Sequence, residues 1–451
     1  MPTGPQALTG PARVAGITAI GGAAGVAANG GTGAVLGLAG VAGALSLQAL
    51  GWSRLVGLLV GATFVTWARI DVLGASFRPE HLALLVAVVG LVLAGRDRAL
   101  LSAAGDPTVV LFGCFVAWAG LVSVLQAPRP GESLLIVGWL ALDLLILIVL
   151  VGSGQEAERL ARTAILWAGV AAAVAIALWV AARAAGTSFG VGTEVLGGAP
   201  AASGLSFEPN LLGATLALWG FMAFTGVRTV GWRARVAVFT LAVAGMALSL
   251  TRAAMVGLAL GLVVWAALRG TRARARTLRL LASVLAAVAV LMAVAPGIVE
   301  PVSENVSRSF EFSGGTGRQR VDSWRTGVAD LDGFDWVIGL GANSFGQRHL
   351  EPTLPTTPTP AYLANLPLQV VYDTGLVGAL LLGATLLSVL HKRPIRDGRA
   401  LGLLTVYVAC AIATSPFWYG TTWVLVAIAV LDRRGRERSS PAVGQPVKNL
   451  L

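Results

Sequence analysis

Apolar runs of about 20 residues recur along nearly the whole chain, and short arginine-rich segments separate them. A run of that length is what an α-helix needs to cross the hydrocarbon core of a bilayer, which is about 30 Å thick. Only 12% of the residues are charged, against about 25% in soluble domains. The sequence therefore predicts an all-α polytopic membrane protein and excludes an ordinary soluble enzyme.

Fourteen candidate membrane spans can be assigned. Because the first two and the last two are short or rich in glycine, we expect about 12 to 14 transmembrane helices. The spans lie at roughly residues 15–30, 33–50, 54–70, 81–95, 107–126, 133–153, 161–183, 208–227, 233–250, 253–269, 277–297, 365–390, 399–414 and 418–432.

The arginine-rich segments predict how the chain is oriented in the membrane. Residues 269–279, 391–399 and 433–438 are strongly basic and should be cytoplasmic, because lysine and arginine accumulate in cytoplasmic loops. Fourteen spans then place both termini in the cytoplasm. We expect four parts, which are a transmembrane bundle at 1–298, an extracytoplasmic loop at 299–364, C-terminal transmembrane helices at 365–432 and a cytoplasmic basic tail at 433–451.

Charge and cysteine content narrow the classes of function. The net charge is +11, and the basic residues responsible for it cluster between the apolar runs. We therefore interpret them as a signal of membrane topology and predict membrane lipids, not nucleic acid, as a partner. Cys114 and Cys410 lie inside apolar spans and suggest neither a disulfide nor a metal pair. We predict no cofactor and no metal. The bias towards Arg, Ala, Gly and Val suggests a high-GC bacterial genome.

Three arginines and a tryptophan mark the long loop as a candidate site. Arg318, Arg320 and Arg325 surround Trp324, and Arg320 and Trp324 are one helical turn apart. Guanidinium groups fork onto phosphate oxygens, and an aromatic ring can stack on a sugar. The pattern therefore suits a phosphate attached to a sugar. The alternative is a solvated helix whose tryptophan touches the membrane interface.

Four further residues are candidates for substrate contacts. Arg252 interrupts two apolar runs, and a charge there is a functional hypothesis by default, with snorkelling to the headgroups as the alternative. Glu208 and Asn210 begin an apolar run, where Glu208 either positions a substrate hydroxyl or stabilises a helix N-terminus. Asn343 lies in a glycine-rich turn, for which a purely structural role is the alternative.

In this order, these pieces resemble the O-antigen ligase and Wzy-type polymerase superfamily over about residues 200–390. The matching residues are Asn210 after Glu208-Pro209, Ser249-Leu-Thr-Arg252, Arg320-x-x-x-Trp324, Gly339-x-Gly341-x-Asn343-x-Phe345, and Asn365 followed by Gly375-Leu-Val-Gly378. The resemblance implies a GT-C-like fold and a polyprenyl-diphosphate-linked glycan, such as an undecaprenyl one, as donor. It also implies a glycan or lipid acceptor and an inverting, metal-independent transfer outside the plasma membrane.

One position departs from the family pattern. The last motif of the family normally reads His-Asn, and here Ala364 precedes Asn365. The resemblance implies that arginines hold the pyrophosphate and that the histidine activates the acceptor hydroxyl, a step that alanine cannot perform. Three explanations stay open, which are that Ala364 is an introduced replacement, that the base lies elsewhere with His349 as the best candidate, or that the protein is a natural non-catalytic binder.

A transporter or flippase of lipid-linked saccharides is the alternative from another functional class. It predicts inverted repeats and broken helices that meet at the midplane. The sequence instead has one asymmetric loop and arginines gathered at one face, which favours the glycosyltransferase. The sequence does not identify the donor glycan or the acceptor.

Overall fold

A computed structural model describes residues 51–68, 70–72, 75–93, 95–186, 188–196, 199–227, 229–269, 274–275, 278, 282, 315–351, 359–360, 363–390 and 398–439. The spans predicted at 15–30 and 33–50 lie outside these residues, as do the span predicted at 277–297 apart from residues 278 and 282 and the end of the predicted basic tail, 440–451.

The described chain is an assembly of helices with three short antiparallel hairpins, so the predicted all-α class is confirmed. The helices are α1 Trp52–Ala62, α2 Pro79–Leu93, α3 Asp97–Ala104, α4 Pro107–Gln126, α5 Pro130–Gly152, α6 Ala157–Ala185, α7 Pro209–Thr225, α8 Trp232–Leu248, α9 Arg252–Ala267, α10 Gly315–Asp330, α11 Asp335–Ile338, α12 Ser344–Arg348, α13 Leu366–Leu390, α14 Gly398–Ala411 and α15 Gly420–Ser439. The hairpins are β1 Ile70–Val72 with β2 Ala75–Phe77, β3 Val191–Leu196 with β4 Ala199–Ala202, and β5 Leu350–Glu351 with β6 Thr359–Pro360.

Several of these helices are apolar enough to span a bilayer. Within the described residues, α4, α5, α6 and α13 have both the length and the hydropathy for a full crossing, and α1, α2, α9 and α14 are shorter apolar helices. Each predicted span within the described residues overlaps a helix. The first of these differs from its prediction, because α1 ends at Ala62 and the amides of Thr66 and Trp67 then bond the carbonyl of Leu205.

Helix α7 lies at the centre of the bundle. Every residue of it except Asn210 is buried, as expected for a helix that is apolar all round. Helices α9 and α14 pack together through Gly261 and Gly402, where a Cβ on either glycine would lie 2.7 Å from the carbonyl oxygen of the other. Small residues that allow close backbone approach are how helices associate in a bilayer, where apolar burial gives little driving force.

The two ends of the bundle have different chemistry. At one end, which we call the basic end, α6 and α14 begin and α7, α9 and α15 finish. There Arg433 Nη2 donates to both carboxylate oxygens of buried Asp106, at 2.7 and 2.8 Å, which fastens α15 to the N-cap of α4. At the opposite end, the loop end, α10–α12 pack on the first half of α13. The candidate site lies at the loop end.

Candidate functional site

Helix α13 is broken at Gly375, and the loop fills the break. Gly375 has φ 65° and ψ −173° inside the helix, so three preceding carbonyls lose their intrahelical donors. The amide of Leu340 donates to Tyr372 O at 2.8 Å and that of Gly341 to Asp373 O at 2.9 Å. Trp118 Nε1 donates to Thr374 O at 2.8 Å. Three carbonyls at the break thus accept hydrogen bonds from protein donors outside the helix.

The glycines of the two sequence motifs are explained by this joint. Gly339 has φ 84°, and a Cβ on it would lie 2.5 Å from the amides of Thr374 and Gly375. A Cβ on Gly375 would lie 2.1 Å from Val337 O. Asn343, proposed from the sequence as a substrate contact, adopts φ 58° directly before α12, a conformation that asparagine tolerates well. The motif therefore docks the loop on α13.

Replacing Gly375 with alanine should strongly destabilise the protein. The new Cβ would overlap the carbonyl of Val337, and alanine would be forced to a positive φ. Together these costs come to about 2–5 kcal/mol. Gly383→Ala in the same helix is the control, because no atom lies within 4 Å of its new Cβ. Thermal unfolding of the purified protein should show a lower Tm for Gly375→Ala alone. Equal Tm values for the two variants would contradict the joint.

Residue 364 is buried beside the loop tryptophan. Trp324 Nε1 donates to Leu363 O at 2.8 Å, and Ala364 follows with 3% exposure and φ 48°. Histidine and asparagine adopt this left-handed region several times more readily than most residues. Asn365 Oδ1 accepts from the amide of Leu368 at 3.0 Å and so caps α13. The backbone at 364 suits the histidine of the family pattern better than it suits alanine.

Arg252 is positioned by a hydroxyl network at the start of α7. Ser249 Oγ donates to Thr251 Oγ1 at 2.9 Å, and Thr251 Oγ1 donates to Pro209 O at 3.0 Å. A Cβ on Gly213 would lie 2.4 Å from Thr251 Cβ, so no larger residue fits there. The network brings Arg252 to the end of α7 that carries Glu208 and Asn210.

Two of the predicted arginines come together across the loop end. Arg252 is the first residue of α9, and it lies close enough to Arg320 for the two charges to act on one another. Both side chains are half-buried. Arg318 and Arg325 instead flank Asp322 at 3.8 Å each, with 72% and 79% of their side chains exposed. Two like charges drawn together and partly withdrawn from water form an environment that favours an anion.

Glu208 is connected to the start of α13. Thr414 Oγ1 donates to Glu208 Oε1 at 3.2 Å, and the adjacent Ser415 Oγ donates to Gln369 Oε1 at 2.8 Å. The amide of Gln369 donates in turn to the carbonyl of Asn365. Glu208, Arg252 and residue 364 therefore lie at the same end of the bundle.

His349 belongs to a different cluster. Its Nε2 lies 2.6 Å from Asp330 Oδ2, and Tyr372 OH donates to the same oxygen at 2.7 Å. Asp330 is ten residues beyond Arg320 on α10, which is about 15 Å along the helix axis. This cluster ties the end of α10 to α12 and α13, away from the two arginines.

The sequence analysis missed a buried arginine at the start of α2. Arg78 is stacked between the rings of Trp139 and Tyr419, at 4.6 and 4.7 Å, and forms an ion pair with Glu80 at 3.3 Å. It also donates to Trp418 O at 3.1 Å. In the sequence, Arg78 and Glu80 stand directly before an apolar run, and this pair of charges could have indicated the site. Among the described residues, no group of three or more His, Cys, Asp and Glu could hold a metal ion.

A comparison with protein families agrees with the motif analysis. Residues 237–383 match the family model Wzy_C, described as O-Antigen ligase, over about a third of the chain. The matched region runs from α8 into α13 and contains Arg252, Arg320 and Ala364, whereas Glu208 and Asn210 precede it. No curated protein and no solved structure matches the chain. The resemblance is confirmed over this region, which supports O-antigen ligase-like glycan transfer in a membrane protein of polysaccharide biosynthesis.

Proposed function

We propose that this chain, with its O-antigen ligase domain at residues 237–383, is a glycosyltransferase of the outer face of the bacterial plasma membrane. It transfers or polymerises a glycan from a polyprenyl-diphosphate-linked donor onto an acceptor hydroxyl. The observation that carries the proposal is the match of residues 237–383, which include Arg252 and Arg320, to the O-antigen ligase family model. Both termini are cytoplasmic in the orientation that we propose.

The two arginines suit the diphosphate of such a donor. In an inverting transfer, the acceptor oxygen attacks the anomeric carbon from the side opposite the diphosphate. The bond from carbon to phosphate oxygen breaks, and the electron pair leaves with the polyprenyl diphosphate. Guanidinium groups that are positioned in advance stabilise this developing charge, and two of them supply cationic charge that a metal ion supplies in other transferases. The proposed reaction is accordingly metal-independent.

The other residues of the site are proposed to hold the sugars. Trp324 lies one turn from Arg320 on α10, at a spacing that lets a pyranose stack on its ring while the phosphate meets the arginine. Arg318 and Arg325, on the exposed side of this helix, are proposed to contact the donor more peripherally. Asn210, Asn343 and Asn365 are proposed as hydrogen-bonding partners for glycan hydroxyls.

The proton of the acceptor hydroxyl needs a base, and Ala364 cannot accept it. Glu208 and His349 are the two candidates on this chain. Glu208 is favoured by its position, because its neighbour Pro209 accepts the hydrogen bond that anchors Thr251 beside Arg252. His349 is disfavoured by its distance from the arginines. It pairs with Asp330, which lies ten residues beyond Arg320 along α10.

Donor binding tests the proposal independently of catalysis. The purified protein in nanodiscs should bind a polyprenyl-diphosphate-linked glycan, and Arg252→Gln or Arg320→Gln should each weaken binding by about 10- to 100-fold, the range for hydrogen bonds to charged groups. Arg129→Gln is the control, because Arg129 is an exposed arginine of the loop end that pairs with Glu132. Equal affinity for a polyprenyl glycan without the diphosphate would refute the proposed role of the arginines.

A flippase remains the second candidate because α13 is a broken helix, a feature of many transporters. The break in α13 is filled by the loop backbone and Trp118, which favours a fixed joint over a moving one. A fluorescent lipid-linked saccharide in proteoliposomes distinguishes the two functions. Movement of the label between leaflets without any transfer to an acceptor would identify a flippase.

A further inference from the structure

A second site lies at the basic end, on the opposite side of the bundle from the arginine pair. A cavity of about 350 Å³ opens between α6, α7, α14, α15 and the segment that follows α9. Three arginines contribute to its lining, which are Arg399 of α14, Arg436 of α15 and Arg269 two residues after the end of α9, together with Glu158 and Asp432. The cavity has no part in the transfer reaction proposed for the loop end.

The arginines give the cavity a net positive charge. Arg436 forms an ion pair with Asp432 one turn away, and Arg399 donates to Thr225 O at the end of α7 at 3.3 Å. Arg269 lies over the ring of Trp265 at 5.1 Å. Three guanidinium groups therefore line the cavity together with two carboxylates.

The lining changes from charged to apolar along the axis of the bundle. Arg436 and Arg399 lie near helix ends, whereas Leu403 lies one turn further along α14. Leu425 on α15 is eleven residues before Arg436, which is about 16 Å deeper. A free phosphate ion would use only the charged mouth of such a cavity. A lipid with a charged headgroup and an acyl chain would use both parts.

We propose that this cavity binds an anionic phospholipid from the adjacent leaflet. The phosphate lies among Arg269, Arg399 and Arg436, and an acyl chain extends along Leu403 and Leu425. Basic pockets between transmembrane helices bind anionic headgroups in this way on the cytoplasmic side, and the orientation proposed above for the chain puts this end there. The ligand class is a phosphate diester with acyl chains.

Native mass spectrometry of the detergent-purified protein tests the proposal. With phosphatidylglycerol and phosphatidylcholine of the same acyl chains, the protein should retain one phosphatidylglycerol at least 10-fold more tightly. Arg399→Gln and Arg436→Gln should each weaken the binding of phosphatidylglycerol by about five-fold. Arg98→Gln removes an exposed arginine of the same end that does not line the cavity and should change nothing. Equal retention of both lipids, or equal loss in all three variants, would overturn the proposal.

Two further measurements separate a lipid from a free anion and from misfolding. Glycerol phosphate is the headgroup without its chains, and it should not displace the lipid at equal concentration. Displacement would mean an anion site and would overturn the assignment of a lipid. Ala400→Phe fills the cavity and leaves every charge in place, so the folded variant, with the Tm of the parent protein, should lose the lipid. Retention of the lipid in this variant would place it elsewhere on the protein.

Discussion

Replacing Ala364 with histidine should raise the rate of glycan transfer by about 10²- to 10⁴-fold, the usual contribution of a general base. The backbone at 364 already has φ 48°, which histidine adopts readily. Trp324 fixes the preceding carbonyl at 2.8 Å, so the imidazole would emerge from a defined position. The measurement is steady-state transfer from a polyprenyl-diphosphate-linked glycan to an acceptor by the purified protein.

Ala364→Asn is the matched control for this gain, since asparagine fits the same backbone conformation but cannot act as a base. It should leave transfer at the level of the parent chain. A comparable gain from asparagine would attribute the effect to backbone conformation rather than to proton transfer. If the parent chain already transfers glycan as fast as Ala364→His, the base lies elsewhere, and Glu208→Gln against His349→Gln then identifies it.

Removing Arg252 from the Ala364→His variant should lower kcat by about 10²- to 10³-fold, the usual loss when one preorganised donor to a developing negative charge is deleted. Arg320→Ala should have a similar effect. Because both arginines are proposed to act on one diphosphate, the double variant should lose less than the product of the two single losses. Transfer by each variant with donor at saturating concentration separates this effect from weaker binding.

Arg129→Ala again serves as the control at the loop end and should keep the rate of the Ala364→His parent. Full additivity in the double variant would mean that Arg252 and Arg320 act on separate groups. An unchanged kcat in both single variants would remove the arginine pair from the mechanism, even if both variants bind the donor less tightly.

The helices were predictable from the sequence because their signal is local. Each apolar run encodes its own hydrogen-bonded helix, since the bilayer offers no other way to satisfy the backbone. The end of α1 was less predictable. The chain turns away after Ala62 because the carbonyl of Leu205, far along the sequence, accepts the amides of Thr66 and Trp67. Boundaries that depend on such long-range bonds leave no periodic pattern in the sequence.

The residues of the site also divide into those predictable from the local sequence and those whose positions depend on tertiary structure. Arg252 and Arg320 could be selected from their residue types and from the resemblance, but the position of one relative to the other depends on tertiary structure, because they lie on different helices, α9 and α10. Arg318 and Arg325 pair with Asp322 instead, and the sequence already indicates this. Asp322 is four residues after Arg318 and three before Arg325, which are the spacings of neighbours on a helix surface. The pairing of His349 with Asp330 and Tyr372 is purely tertiary.

The joint between the loop and α13 also constrains how the protein is made. In the bilayer, α13 cannot satisfy the carbonyls of Tyr372, Asp373 and Thr374 by itself. The groups that donate hydrogen bonds to these carbonyls belong to Leu340, Gly341 and Trp118. All three donors are synthesised before Gly375 emerges from the ribosome. We therefore expect α13 to enter the membrane stably only after the preceding loop has been translocated, so that the loop acts as a template for the insertion of the helix that follows it.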